Sequence, residues 1–319
     1  MELSEIQNVT VAGAGIMGQG IAFSFAQGGF KTTIYDISQD ALDIAMAHIK
    51  HHMQEAVGAG LFSETQMNQA YERLHPTLEL KTAAKGCDFF IEAVPEILEL
   101  KQKIFKDVEA LAPAHTIMAT NTSHLPPEKI FSQVTNTSRT LLVHWFNPPQ
   151  LVPVVEVARL PQTDALVWDL TARILTKAGK QPVKIKTPIQ GLIVNRLFGA
   201  LVREITYLME QDIAEPVEID SAIKGSLAFR SLCVGFIKSW DLGGLDEWYD
   251  MTKHLFPELN SRIEPPKSMR ELVDAGHTGI RSGRGFYKYD VNFTNKGETD
   301  PSIKERDEMM LKLLKIYTY

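Results

Sequence analysis

Val9-Thr10-Val11-Ala12-Gly13-Ala14-Gly15-Ile16-Met17-Gly18 is a short β-branched run that breaks into a turn with glycines at every second and third position. The apolar residues that follow it, Ile21, Ala22, Phe25 and Ala26, recur at helical spacing. Between a strand and a helix, Gly-x-Gly-x-x-Gly has a mechanical meaning: Gly13 permits the tight turn, Gly15 lets a pyrophosphate approach the backbone, and Gly18 lets helix and strand pack closely. The N–H groups at the helix start, at Ile16 and Met17, have no intrahelical acceptor and are free to hold an anion. A second strand, Thr32 to Tyr35, follows at the expected distance and leads into Asp36. A carboxylate there accepts hydrogen bonds from two ribose hydroxyls and repels a 2′-phosphate, and the next basic residue is Lys50, so the pattern favours NAD over NADP.

From Asn8 to about Lys186 short strand-like runs alternate with helical segments, the order that builds a parallel sheet with crossover helices. The clearest strands are Val9 to Ala12, Thr32 to Tyr35, Phe89 to Val94, Thr116 to Ala119, Leu141 to His144, Val152 to Val157 and Pro182 to Ile185. After Thr187-Pro188 the pattern turns mainly helical, with no convincing strand before Gly285-Phe286-Tyr287. The expected organisation is therefore an α/β domain over residues 1–187 and a helical domain over 188–319. Gly191 to Met209 is apolar on nearly every face, which calls for partners on all sides, supplied by its own domain or by a second subunit. Ile303 to Ile316 reads as an amphipathic surface helix.

The 319 residues are 44% hydrophobic and 23% charged, which excludes disorder as the main state. Thirty-three basic against 39 acidic side chains give a net charge of −6, so nucleic acid is not expected as a partner. No run approaches the roughly 20 apolar residues of a membrane helix, and the N-terminus has no signal-type pattern. The expectation is a soluble cytoplasmic protein with no membrane partner. Cys87 and Cys233 are too few and too far apart for a disulfide framework or a CxxC clip, and both are expected to be buried. His48, His51 and His52 share a predicted helix but read as a partly exposed face; no metal is expected. Trp240, Trp248, Tyr249 and Phe256 read as helical-domain core or subunit interface.

Three further segments place polar groups after strands: Asn121-Thr122-Ser123, His144-Trp145-Phe146-Asn147 with Glu156 twelve residues on, and Gly191-Leu192-Ile193-Val194-Asn195-Arg196. Oxidising a secondary alcohol requires a base for the hydroxyl proton, and a histidine oriented by a carboxylate serves near neutral pH. His144 and Glu156 suit that pair, and Ser123 and Asn195 suit donors to the substrate oxygen.

These segments, with Glu92-Ala93-Val94-Pro95-Glu96, Pro153-Val154-Val155-Glu156 and Gly283-Arg284-Gly285-Phe286-Tyr287, resemble the 3-hydroxyacyl-CoA dehydrogenase family over essentially the whole chain. The resemblance implies a Rossmann-type NAD-binding domain followed by an all-helical domain that forms a homodimer. It also implies reversible oxidation of an L-3-hydroxyacyl group, of the 3-hydroxybutyryl-CoA type. By position His144 would be the base, Glu156 its orienting partner, and Ser123 and Asn195 the groups on the substrate oxygen. Glu96, Ser123 and Asn147 would line the nicotinamide half of the cofactor, with Lys101 nearby, and Arg281 would contact cofactor or phosphate.

Two departures keep the substrate open. His52-Met53-Gln54-Glu55-Ala56-Val57-Gly58-Ala59-Gly60, which matches the stretch that helps to hold CoA, contains no lysine or arginine. Arg230 resembles the arginine of relatives that oxidise free hydroxy acids, such as carnitine and L-gulonate dehydrogenases, where a guanidinium could clamp a carboxylate. The expected function is thus 3-hydroxybutyryl-CoA-type chemistry on a short acyl substrate; the alternative is a free 3-hydroxy carboxylate held by Arg230 and, in a different class, a non-catalytic NAD-binding structural protein.

Overall fold

The computed structural model describes residues 2–289 and 301–317. Eight strands, β1 (Asn8–Ala12), β2 (Lys31–Tyr35), β3 (Leu74–Thr77), β4 (Phe89–Glu92), β5 (Ile117–Thr120), β6 (Thr140–Trp145), β7 (Val154–Arg159) and β8 (Gln181–Ile185), form one sheet. Their order is β3-β2-β1-β4-β5-β6-β7-β8. The helices among them are α1 (Ile16–Gln27), α2 (Gln39–Gly58), α3 (Glu64–Glu72), α4 (Leu80–Ala84), α5 (Leu98–Leu111), α6 (Pro127–Ile130) and α7 (Ala165–Lys177). Helices on both faces bury the central strands completely, which is why β4, β5 and β6 read as unbroken buried runs rather than alternating ones. Phe25 of α1 meets Phe30, Phe89 and Trp145 with ring centroids 5.7–5.8 Å apart, joining helix and sheet in one core.

The chain leaves β1 toward β2 on one side, while β4 pairs on its other side. This reversal is the topological switch point where α/β sheets open a crevice beyond their strand ends. The sheet is not wholly parallel as the alternation predicts: β6 and β7 pair antiparallel. The connection between them spans only residues 146–153, and a parallel return needs a dozen or more. β3 is also absent from the sequence expectation. Leu74-His75-Pro76-Thr77 carries a proline and little hydrophobicity, acceptable because the strand lies at the sheet edge.

By compactness the chain divides into two units. The first runs to Leu192 and resumes at Arg306; the second extends from Ile193 to Glu305. The second holds α8 (Val194–Glu210), α9 (Pro216–Ala222), α10 (Phe229–Cys233), α11 (Phe236–Gly243), α12 (Leu245–Leu255) and α13 (Lys267–Asp274). α14 (Pro301–Leu314), grouped by sequence with the helical domain, belongs from Arg306 onward to the first unit, where Leu311 is buried. Cys87 is buried as expected, but Cys233 is exposed, because it ends α10 in a unit whose helices bury few side chains. No helix among the described residues is long and apolar enough to cross a membrane.

Candidate active site

The cradle residues meet the demands of close packing. Gly13 has φ +104°, and a Cβ there would stand 2.6 Å from the Ala93 carbonyl oxygen; at Gly18 it would stand 1.8 Å from that of Gly13. At Gly15 nothing lies within 4 Å, so the backbone is open to a ligand exactly where the glycine spacing requires it to be bare. Ile16 is 71% exposed and opens α1. Asp36, just after β2, accepts from the Ala14 N–H at 2.8 Å and the Ser38 N–H at 3.0 Å, which fixes its carboxylate beside the cradle. These residues fit a dinucleotide: orphan N–H groups for its pyrophosphate and a placed carboxylate for its ribose.

Antiparallel pairing of β6 with β7 places His144 directly opposite Glu156. Their side chains meet, His144 Nδ1 to Glu156 Oε2 at 2.9 Å, with both residues nearly inaccessible to solvent. A carboxylate only accepts, so Nδ1 carries the proton and Nε2 presents its lone pair. Nε2 lies 3.3 Å from the hydroxyl of Ser123, whose residue is exposed. Phe146 packs its ring against the imidazole at 4.7 Å between centroids. A cavity of about 130 Å³ opens beside Ser123, between it and His124, Leu142, Gln190 and Leu192.

Behind Ser123 is a buried ionic cluster. Lys101 Nζ donates to Glu92 Oε1 at 2.5 Å and to Glu96 Oε2 at 2.8 Å. Glu92 also accepts from the Thr120 hydroxyl, and Glu96 accepts from the Thr122 hydroxyl and the Ser123 N–H. Burial pushes the Glu92 carboxyl above its ordinary range, against the pull of Lys101. Burial acts on Glu96 in the same direction, but its bonds to Lys101, Thr122 and Ser123 outweigh it and hold that carboxyl low. Lys101 is 1% exposed, so it touches the cleft only through Glu96.

Asn147 is exposed at the end of β6 and precedes Pro148 through a cis peptide bond. Asn195, in the first turn of α8, Arg230 in α10 and exposed Arg281 all lie in the second unit. Arg230 bonds Ser226, through its carbonyl and hydroxyl, and faces a cavity of about 190 Å³ lined by Leu227, Val234, Phe236 and Trp248. Among the described residues no carboxylate pairs with it. Of the three clustered histidines, His48 bonds Gln19, while His51 and His52 both approach Glu55.

Sequence reasoning quoted Glu92 and Thr122 within motifs without giving them a role, and missed Thr120. A glutamate closing the apolar run Phe89-Phe90-Ile91, with a lysine nine residues later, was the available signal for the first.

The chain resembles known proteins along its length. The model of the 3-hydroxyacyl-CoA dehydrogenase NAD-binding domain matches residues 8–187, and that of the C-terminal domain matches 191–289. The 5-formyl-3-hydroxy-2-methylpyridine 4-carboxylate 5-dehydrogenase of Mesorhizobium japonicum is 29% identical over 290 residues, 89% of this chain and 91% of that one. A probable 3-hydroxybutyryl-CoA dehydrogenase of Bacillus subtilis is 31% identical over 288 residues, 90% of this chain and 98% of that one. A crystal structure of the pyridine-carboxylate 5-dehydrogenase, described as an NAD+ dependent dismutase, superimposes with a TM-score of 0.88 at 26% identity, covering 98% of each chain. With an NAD-binding domain, a helical C-terminal domain and these relatives, the chain belongs to the 3-hydroxyacyl-CoA dehydrogenase family, NAD-dependent enzymes that act on CH–OH groups.

Proposed function

We propose that this enzyme oxidises the alcohol of a small substrate bearing a free carboxylate, with His144 as the base. The reaction is supported by the Ser123–His144–Glu156 relay. Nε2 takes the hydroxyl proton, Glu156 stabilises the imidazolium that forms, and Ser123 donates to the oxygen as negative charge develops on it. A bound NAD would supply the hydride acceptor, so that alcohol and NAD+ would give carbonyl compound and NADH, with the proton left on His144. The family resemblance adds Asn195 as a second donor to the substrate oxygen. It implies Glu96, Ser123 and Asn147 along the nicotinamide half with Lys101 nearby, here bonded to Glu96, and a cofactor or phosphate contact for Arg281.

The substrate class rests on one observation: a guanidinium without a carboxylate partner borders a mainly apolar cavity. A substrate carboxylate would supply the missing acceptors in a bidentate pair. The π-helical turn Ile223–Ala228 just before it is a distortion frequent at functional sites. Full-length likeness to an enzyme named for a pyridine carboxylate points the same way. Arg230→Ala is expected to lower kcat/KM for a free acid by about 10²-fold or more while sparing a thioester. Steady-state assays on acetoacetyl-CoA and on a panel of free 3-hydroxy acids check this; equal losses on both would discard the clamp. The CoA reading is favoured by the likeness to the Bacillus subtilis protein, and strong saturable turnover of acetoacetyl-CoA alone would establish it.

The proposed partner is a second copy of the chain. Among the described residues of the second unit only Thr206 and Ile219 are buried, while Leu197, Phe198, Phe229 and Ile237 are more than half exposed. So much uncovered apolar surface is the mark of an interface. Sedimentation equilibrium is expected to return twice the 35.7 kDa chain mass at micromolar concentration; a monomer there would refute the dimer.

A further inference from the structure

Lys180 is 5% exposed, yet no carboxylate pairs with it among the described residues. Its ammonium instead donates to three backbone carbonyls of one loop: Pro149 at 2.6 Å, Val152 at 3.1 Å and Gln150 at 3.3 Å. It also stands 5.6 Å from the centre of the Trp145 ring. Burial pulls this amine down to about 7. Among the described residues no other protein donor meets these three carbonyls, so the lysine alone ties them.

The loop that it ties is the connection between β6 and β7. The chain passes from His144 through Asn147 into Pro149–Val152 and returns in β7 to Glu156. On its other side the loop lies against α1, the helix that begins at the glycine cradle. A Cβ on Gly20 would stand 2.5 Å from Pro149 Cγ and 2.9 Å from the Gln150 nitrogen. The loop is therefore held from two sides, by contact with a bare helix position and by the lysine.

We infer that Lys180 is a positioning residue: by tying the β6–β7 loop against α1, it sets Asn147 and the His144–Glu156 pair relative to the dinucleotide cradle. The inference rests on the reaction proposed above. Because a dinucleotide must reach both the cradle and Asn147, slack in the loop alters cofactor binding as well as turnover. Substrate binding outside the loop is affected less.

Lys180→Met removes the three donors at similar side-chain length, Lys180→Arg keeps donors, and Gly20→Ala displaces the loop from the helix side. Hydrogen exchange of the peptide spanning Pro148 to Pro153 and fluorescence titration with NADH are measured beside kcat and KM. Lys180→Met and Gly20→Ala are each expected to speed exchange in that peptide by about tenfold or more. Each is expected to weaken NADH binding severalfold and to lower kcat by about 10- to 100-fold with a smaller change in substrate KM. Lys180→Arg is expected to recover part of all three. Wild-type exchange and NADH affinity in Lys180→Met would overturn the inference; if that variant does not fold, the same result in Gly20→Ala would overturn it. His144→Ala separates the two readings: retained turnover there defeats the proposed reaction, whereas lost turnover there with normal Lys180 variants defeats only the positioning role.

Discussion

Replacing His144 with alanine is expected to lower kcat by about 10²- to 10⁴-fold, the range that a placed general base contributes. NADH affinity should stay near that of the wild-type enzyme. The separation follows from geometry: the imidazole bonds Glu156 on one nitrogen and faces the Ser123 hydroxyl with the other, and it takes no part in the cradle around Gly13 to Gly18 or in the Asp36 bonds. Glu156→Gln is a sharper probe. An amide can turn its NH₂ toward Nδ1 and favour the tautomer whose Nε2 is protonated, which disables the base with little change of shape. Single-turnover reduction of NAD, with NADH binding followed by fluorescence, measures both quantities. Wild-type turnover in His144→Ala would remove the histidine from the chemistry.

Lys101→Met is expected to destabilise the protein by about 3–5 kcal/mol, because it leaves the buried Glu92 and its neighbour Glu96 without their shared cation. With about 2–4 °C per kcal/mol, the melting temperature should fall by about 10 °C. The loss depends on pH with a definite sign. In the wild-type protein Glu96 is held below its ordinary value of 4.5, so its contribution is present above that value and disappears as the pH falls through the folded-state titration. Without Lys101 the buried Glu92 carboxyl, already raised, is pushed higher and Glu96 loses part of what holds it low, so the variant's folded state binds more protons than the wild-type one and its stability falls relative to wild type as the pH rises. The gap between the two proteins therefore widens from acid to neutral pH. Adding Glu92→Gln should recover part of it, since one buried charge is then gone. Thermal unfolding across that pH range checks the prediction, and a Lys101→Met protein within 1 kcal/mol of wild type at neutral pH would show that the cluster does not stabilise the fold. Turnover should fall as well, because Glu96 accepts the Ser123 N–H and so places the hydroxyl that meets His144.

Much of the site could be read from residue order because its signals are local. The cradle is one turn between one strand and one helix, and Asp36 directly follows the next strand, so glycine spacing and hydrophobic runs were sufficient. The pairing of His144 with Glu156 could be named from chemistry, but the reason it forms, antiparallel register between β6 and β7, could not. A run such as Val154-Val155-Glu156-Val157 looks the same in either direction of pairing. The direction is decided by how far the connecting chain can reach.

What the amino-acid sequence determined by itself was an α/β NAD-binding half, a helical second half, and the residue types of an alcohol dehydrogenase. Tertiary structure alone decided which charged residues are buried and what they hold. Lys180 is indistinguishable in sequence from Lys184, yet the first is almost wholly enclosed and the other lies at the surface, and nothing local told that Lys101 would be buried while Lys103 is not. Burial is a property of what packs around a side chain, brought together from distant positions. No local pattern encodes it, and a lysine's effect on its neighbours depends on the water it has lost.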